Sequence, residues 1–221
     1  MGMSMKSGAI FEKLVRMNDE QAGIVLKQQI NEPGGRNDGG VVIGHYGVPT
    51  ASHGGTAGSM ATMAAALATP LSTYYRSAEL LSALDRAADF MLRRQHADGT
   101  ISLGGTNFHS PPDTGFVING MAQIYWLLNG QEEAAGVADV SAKVKRFLER
   151  TIPAMLTGGC HTPNHRWVLV AALSALHKIF GREELVRRAD QWLAEGLDGT
   201  NDGEWTERSN GIYNTVSNIM L

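Results

Sequence analysis

Residues 165–180, HRWVLVAALSALHKIF, and the segment just after them, residues 183–197, EELVRRADQWLAEGL, decide the fold class. The first is apolar on nearly every side, so a helix built from it must be covered over most of its surface. The second carries one stripe, Leu185, Ala189, Trp192, Leu193 and Leu197, at the i, i+3/i+4 spacing of a helix with one buried and one wet face. The same couple occurs twice earlier in the chain. Residues 59–68 (SMATMAAALA) and 114–128 (TGFVINGMAQIYWLL) are apolar all round. Ser77–Gln95 is striped by Leu80, Leu81, Leu84, Ala87, Ala88, Met91 and Leu92, and Val140–Ile152 by Val140, Val144, Phe147, Leu148 and Ile152. A last apolar segment, residues 211–221 (GIYNTVSNIML), is more polar and is cut off by the end of the chain.

Buried and surface helices in alternation describe two concentric layers of helical hairpins. From about residue 52 a unit of roughly 50 residues recurs: Asp113 to Asn164 is 51 residues, and Asn164 to Asn210 is 46. The expectation is an all-α chain, an α/α toroid-like array of about three to four hairpins, incomplete or open. It forms one domain, with residues 1–56 as an N-terminal helix (Ile10–Ile30) plus a Gly-rich loop and residues 57–221 as the repeats. Pro33–Gly55 is either an ordered loop over one rim or a mobile lid. Only Gly40–Tyr46 (GVVIGHY) hints at the period-2 alternation of a strand. Pro112 and Pro163 stand just ahead of helix starts, with Asp113, Thr114 and Asn164 as N-caps.

Composition excludes several classes. With 43% hydrophobic residues in 221, the chain can bury a sizeable core. The net charge is −3 and no basic tract occurs, which gives no support to a nucleic-acid or membrane-surface partner. The single cysteine, Cys160, rules out an internal disulfide framework and a multi-thiolate zinc site. Trp167–Leu176, the longest apolar run, is about half the roughly 20 residues that span a bilayer. The N-terminus lacks an uninterrupted apolar stretch of the secretory kind, so the expected location is the cytoplasm.

If every inner helix starts at the same rim, the loops before them gather at one mouth. That mouth would hold His45, Tyr46 and His53; Asn107, His109 and Asp113; His161, Asn164, His165 and Arg166; and Trp205, Glu207, Arg208, Asn210, Tyr213 and Asn214. Five of the seven histidines fall here, and the opposite connections (ATPLSTYY, LNGQEEA, FGREE) carry neither histidine nor tryptophan. Aromatic faces beside amides and guanidinium groups suit a carbohydrate. No HxxxH or HExxH spacing occurs, so no metal and no cofactor is expected, and Cys160 lacks a base to activate it. Trp126, Trp167 and Trp192 read as packing residues, and Trp205 as the sugar platform.

With Asn164–His165 opening an inner helix and an aromatic-rich loop running to Arg208 and Tyr213, the repeat resembles the α/α-toroid domain of polysaccharide lyases. It is most similar to the heparinase II/III and alginate-lyase type. The resemblance covers residues 50–221, and it implies cleavage of a uronic-acid glycan by β-elimination. It places Asn164, His165, Tyr213 and Arg208 in catalysis, with His53, Asn107, His109, Asp113, Arg166, Trp205, Glu207 and Asn214 binding substrate. A complete toroid of that family has about five to seven hairpins and usually an appended β-sandwich, against three to four hairpins here, so the expectation is a fragment, a fold completed by other copies, or an open arc, whose exposed apolar edge would self-associate. A hydrolase of the six-hairpin type resembles the repeat equally, with Asp113 and Glu204 or Glu207 as the two carboxyl groups. RRQHADGTISL (residues 93–103) faintly resembles the Gln/Gly repeats of terpene-cyclase toroids, without their Asp-rich motif. A non-catalytic module binding glycan or protein is the remaining alternative.

Overall fold

The computed structural model describes residues 2–42, 50–131, 135–160, 162–207, 209 and 211–221, with side chains from residue 8 onward. The chain is all-α. Its described elements are α1 (Gly2–Gln28), α2 (His53–Ala68), α3 (Ala78–Arg94), a hairpin of β1 (Ile101–Leu103) and β2 (Thr106–Ser110), α4 (Pro111–Asn129), α5 (Val137–Thr157), α6 (Pro163–Phe180), α7 (Glu183–Leu193) and α8 (Tyr213–Met220). Among the described residues no helix is long and apolar enough to cross a membrane.

The chain divides into two compact units, residues 1–94 with 123–146 and residues 95–122 with 147–221. In the first, α2 packs against α1 and α3. Its core is made by Val15, Ala22 and Val25 of α1, Met60, Met63 and Leu67 of α2, and Leu80, Leu84, Phe90 and Met91 of α3. Asp19 ties α1 to the turn after α2, accepting from Ser72 Oγ at 2.6 Å and from the backbone N–H of Thr73 at 2.7 Å. Lys143 of α5 reaches Asp85 and Asp89 of α3 at 2.7 and 2.9 Å. In the second unit α6 packs against α7 and α8. Trp167, Val168, Leu169, Leu173 and Leu176 of α6 are fully buried, together with Ile118 and Met121 of α4 and Phe147 and Leu148 of α5. The striped α7 buries only Leu185 and Ala189. Leu193 and Leu197 of its expected stripe are exposed, because the helix stops at Leu193.

A clasp closes the C-terminal ends of α1 and α3 in the same way. Gln29 donates from Nε2 to the carbonyl of Gly39 at 3.0 Å and to that of Ala83, in α3, at 2.7 Å. Gln95 repeats the bond pair, to Gly99 at 2.9 Å and to Phe147, in α5, at 3.1 Å. Gly39 and Gly99 have φ of +79° and +84°, where a side chain is strained. A Cβ at either would also overlap a backbone carbonyl of the next surface helix, that of Arg86 or Arg150. The N-terminal turn thus repeats the later one, and the repeat begins earlier than residue 52.

Three local expectations are corrected. Residues 101–110 form an antiparallel hairpin rather than a loop, with Gly104–Gly105 as its two-residue connection and φ +57° at Gly104. Of the strand-like Gly40–Tyr46, Val41 and Val42 bridge Gln29 and Ala51, while residues 43–49 lie outside the described residues. The prolines sit inside first turns, not ahead of them. Pro163 is the first residue of α6, and Thr162, not Asn164, is its N-cap. Before α4, Ser110 Oγ caps the helix by accepting the Asp113 N–H at 3.3 Å and donates to Asp113 Oδ2 at 2.5 Å.

Candidate functional site

The first turn of α6 gathers the expected residues most densely. Thr162 has extended N-cap backbone but makes no side-chain cap bond. The missing acceptor comes from Glu207, whose Oε2 takes the Asn164 N–H at 2.9 Å across 43 residues of sequence. A carboxylate at a helix N-terminus also meets the positive end of the helix dipole. Asn164 is 2% exposed, and its carboxamide donates to Thr162 Oγ1 at 3.2 Å. His165 is half-buried, with Phe116 of α4 set edge-on to its ring at 6.1 Å. The first turn of α6 therefore lies beside the second turn of α4.

Arg166 points elsewhere. Its guanidinium donates to Glu195 at 2.8 Å and to the Gly196 carbonyl at 2.9 Å, pairs with Asp198, and lies 5.1 Å from the Trp167 ring. Two carboxylates already meet its charge, so it acts first as a strut between α6 and the end of α7. Beside it, Cys160, Thr162, Pro163, Trp192, Glu195 and Asp198 line a recess of about 200 Å³. Burial pushes the Cys160 thiol above its ordinary range, which keeps it a poor nucleophile.

The 199–214 connection folds back on the same region. Trp205 bridges Gly199, stacks at a tilt 6.0 Å from Trp167 and donates from Nε1 to Asn218 of α8 at 2.9 Å. Tyr213 opens α8 and is 42% exposed. Asn214 has its Oδ1 buried without a hydrogen-bond partner among the described residues. Glu204 lies on the exposed turn closed by Thr200. Arg208, Asn210, His161, His45 and Tyr46 lie outside the described residues.

The hairpin holds the remaining second-loop residues. Asn107 donates to Asp113 Oδ2 at 3.2 Å. His109, at φ +50°, donates from Nδ1 to Asp98 at 2.7 Å and stacks on His96 with ring centroids 3.8 Å apart. Burial pushes the Asp98 carboxyl up. The hydrogen bonds from Thr100 and His109 outweigh it and hold the group at about 2. His53 does not lie in a loop. It is the first residue of α2, 6% exposed beside Phe90 in the first unit, apart from the unit that holds the others.

Within the second unit Glu207 thus bonds to Asn164, and Arg166 and Trp205 both lie against Trp167, while His165 sits between Asn164 and Arg166 on α6 with its ring against Phe116. Asn107, His109 and Asp113 form their own network at the hairpin. Sequence reasoning missed Asp98, Glu195 and Asp198, the partners of His109 and Arg166. The two Asp-Gly-Thr triplets at 98–100 and 198–200 were the available signal. No family model matches the chain, and no curated protein matches it in sequence.

Proposed function

We propose that the chain is a carbohydrate-active protein of polysaccharide-lyase type, acting on a uronic-acid glycan by β-elimination. The observation that carries this reading is the bond from the Asn164 N–H to Glu207, which draws the Trp205–Tyr213 connection onto the Asn164–His165 turn. Trp205, the Asn164 amide and the His165 imidazole then stand in one unit around the start of α6.

In this mechanism His165 removes the proton α to the uronate carboxylate. The electron pair of that C–H bond forms the new C=C bond as the bond to the β oxygen breaks. The departing oxygen takes a proton from Tyr213. Charge builds on the carboxylate as the enolate-like state forms, and Arg208 with the Asn164 amide neutralises it. Asn164 reaches the substrate by releasing Thr162, while Glu207 holds the turn. Arg166 keeps the turn in place rather than binding substrate. The hydrolytic alternative is less well served, because the Asp113 carboxylate is taken up by Ser110 and Asn107 and that of Glu207 caps α6.

The test is ultraviolet absorbance of unsaturated uronyl ends during incubation with alginate, polygalacturonate, hyaluronan and heparin. His165→Ala and Tyr213→Phe each lower turnover by about a hundredfold or more while the circular dichroism stays unchanged. New reducing ends without that absorbance would mean hydrolysis. Binding without turnover would leave a glycan-binding module, and either outcome overturns the lyase reading.

A further inference from the structure

We propose that α1 is a self-association element, through which two copies of the chain pair by antiparallel α1 helices. Val15, Ala22 and Val25 anchor one face of α1 in the first unit's core. On an adjacent face Ile10, Leu14, Met17 and Ile24 are 62%, 56%, 55% and 45% exposed, and Phe11 at its edge is 51% exposed. With Gln21 filling the gap, these positions alternate steps of four and three residues, the seam of a two-helix coiled coil. A helix already fixed to its own core by another face gains nothing from four exposed apolar side chains along one seam in water.

Charge selects the partner and the direction. Lys13 and Glu20 flank the seam on one side, seven residues apart. When Leu14 lies against Met17 of an antiparallel second copy, Lys13 lies against Glu20 of that copy, and symmetry makes the pair twice. Sliding the helices by one heptad puts Glu20 against Glu20 and Lys13 against Lys27. In a parallel pair Lys13 would face Asn18 and Glu20 would face Val25, with no ion pair formed. In the first register two Leu14–Met17 layers and two Lys13–Glu20 pairs form together, with Ile10 against Gln21 on either side of them.

The other flank provides a socket. A groove of about 320 Å³ between α1 and the end of α2 is lined by the chain's own Phe11 with Leu14, Val15, Ala65 and Ala66, and by the polar Asn18, Asp19, Thr69 and Ser72. In the same register Phe11 of the second copy comes to Asn18, at the mouth of this groove. The groove has room for a second phenyl group beside the chain's own Phe11. A contact of one helix pair is at the small end of specific interfaces and sets the affinity in the micromolar range.

Sedimentation velocity of the chain across the micromolar range tests this. The expected result is a concentration-dependent dimer. Leu14→Glu leaves only monomer with an unchanged helical spectrum, since Leu14 supports no core. Lys13→Glu and Glu20→Lys alone each weaken the dimer about tenfold. The double variant, which restores both pairs with signs exchanged, recovers most of that loss. A chain monomeric at every concentration, an assembly that survives Leu14→Glu, or a double variant no better than the singles overturns the proposal.

Discussion

The carboxylate of Glu207 supplies α6 with the cap that Thr162 does not give, and it does so from the loop that carries Trp205. Its removal therefore acts twice, on the helix start and on the anchoring of the loop. Glu207→Ala is expected to cost about 1 kcal/mol in chemical denaturation. Glu207→Gln, which keeps an acceptor but loses the charge, should cost less. Equal losses in the two variants would mean that the hydrogen bond contributes nothing. Asp98 provides a second single-residue test, through pH. Its folded carboxyl, held at about 2 against 3.8 for the free group, is the more acidic, so ionisation favours the folded state. That contribution is complete above about pH 4 and fades as the pH falls toward 2. The side chain is half-exposed, so solvent screens the effect to at most about 1 kcal/mol. Asp98→Asn should then be less stable than the parent near neutrality and converge with it at the acid end. A stability gap that does not narrow on acidification would exclude this origin.

At the scale of elements, the glutamine clasps hold a surface helix to the surface helix that follows it in each repeat. Gln95 is 6% exposed, and its amide satisfies carbonyls 4 and 52 residues away. Gln95→Ala removes both bonds of a buried amide, at an expected cost of about 1–3 kcal/mol. Gln29→Ala, where the same bonds are only part-buried, should cost less. Gly99→Ala should exceed both, since it strains φ and drives a methyl group into the Arg150 carbonyl. Melting temperatures of the three variants check that order, and a Gly99→Ala protein as stable as its parent would contradict the close approach. These elements also mark what was legible in the sequence. The helices were, because burial imprints its period: Val140, Val144, Phe147, Leu148 and Ile152 are all buried along α5. The hairpin was not, because four of the five residues of β2 are exposed and leave no alternation to read. The clasps were not either, since a glutamine's distant carbonyl partners have no periodic signature. Within the candidate site the gathering of Asn164, Trp205 and Glu207 was anticipated from their loops. The commitment of Arg166 to Glu195 and Asp198 was invisible, because a paired arginine and a substrate-facing one look alike in sequence.

At the scale of the molecule, burial is distributed unevenly among the helices of the second unit, beyond what their lengths of 18, 11 and 8 residues account for, and stability should follow it. α6 places eight residues in the interior, among them Asn164, Arg166 and the fully buried Trp167. α7 buries two and α8 only Ser217. Opening α7 or α8 exposes little apolar surface, whereas opening α6 exposes the centre of the second unit's core. Local opening should therefore release the amides of α7 and α8 well before those of Val168–Leu173. The same asymmetry separates two truncations of large side chains. Trp167→Ala removes a ring enclosed on all sides and should cost about 3–5 kcal/mol. Leu193→Ala, at a position 40% exposed, should fall within about 0.5 kcal/mol of the parent. Native-state hydrogen exchange measures the first contrast and denaturant titration the second. If α7 amides exchanged as slowly as those of α6, opening either helix would have to expose the same core, and the distinction between inner and surface helices would fail in this unit.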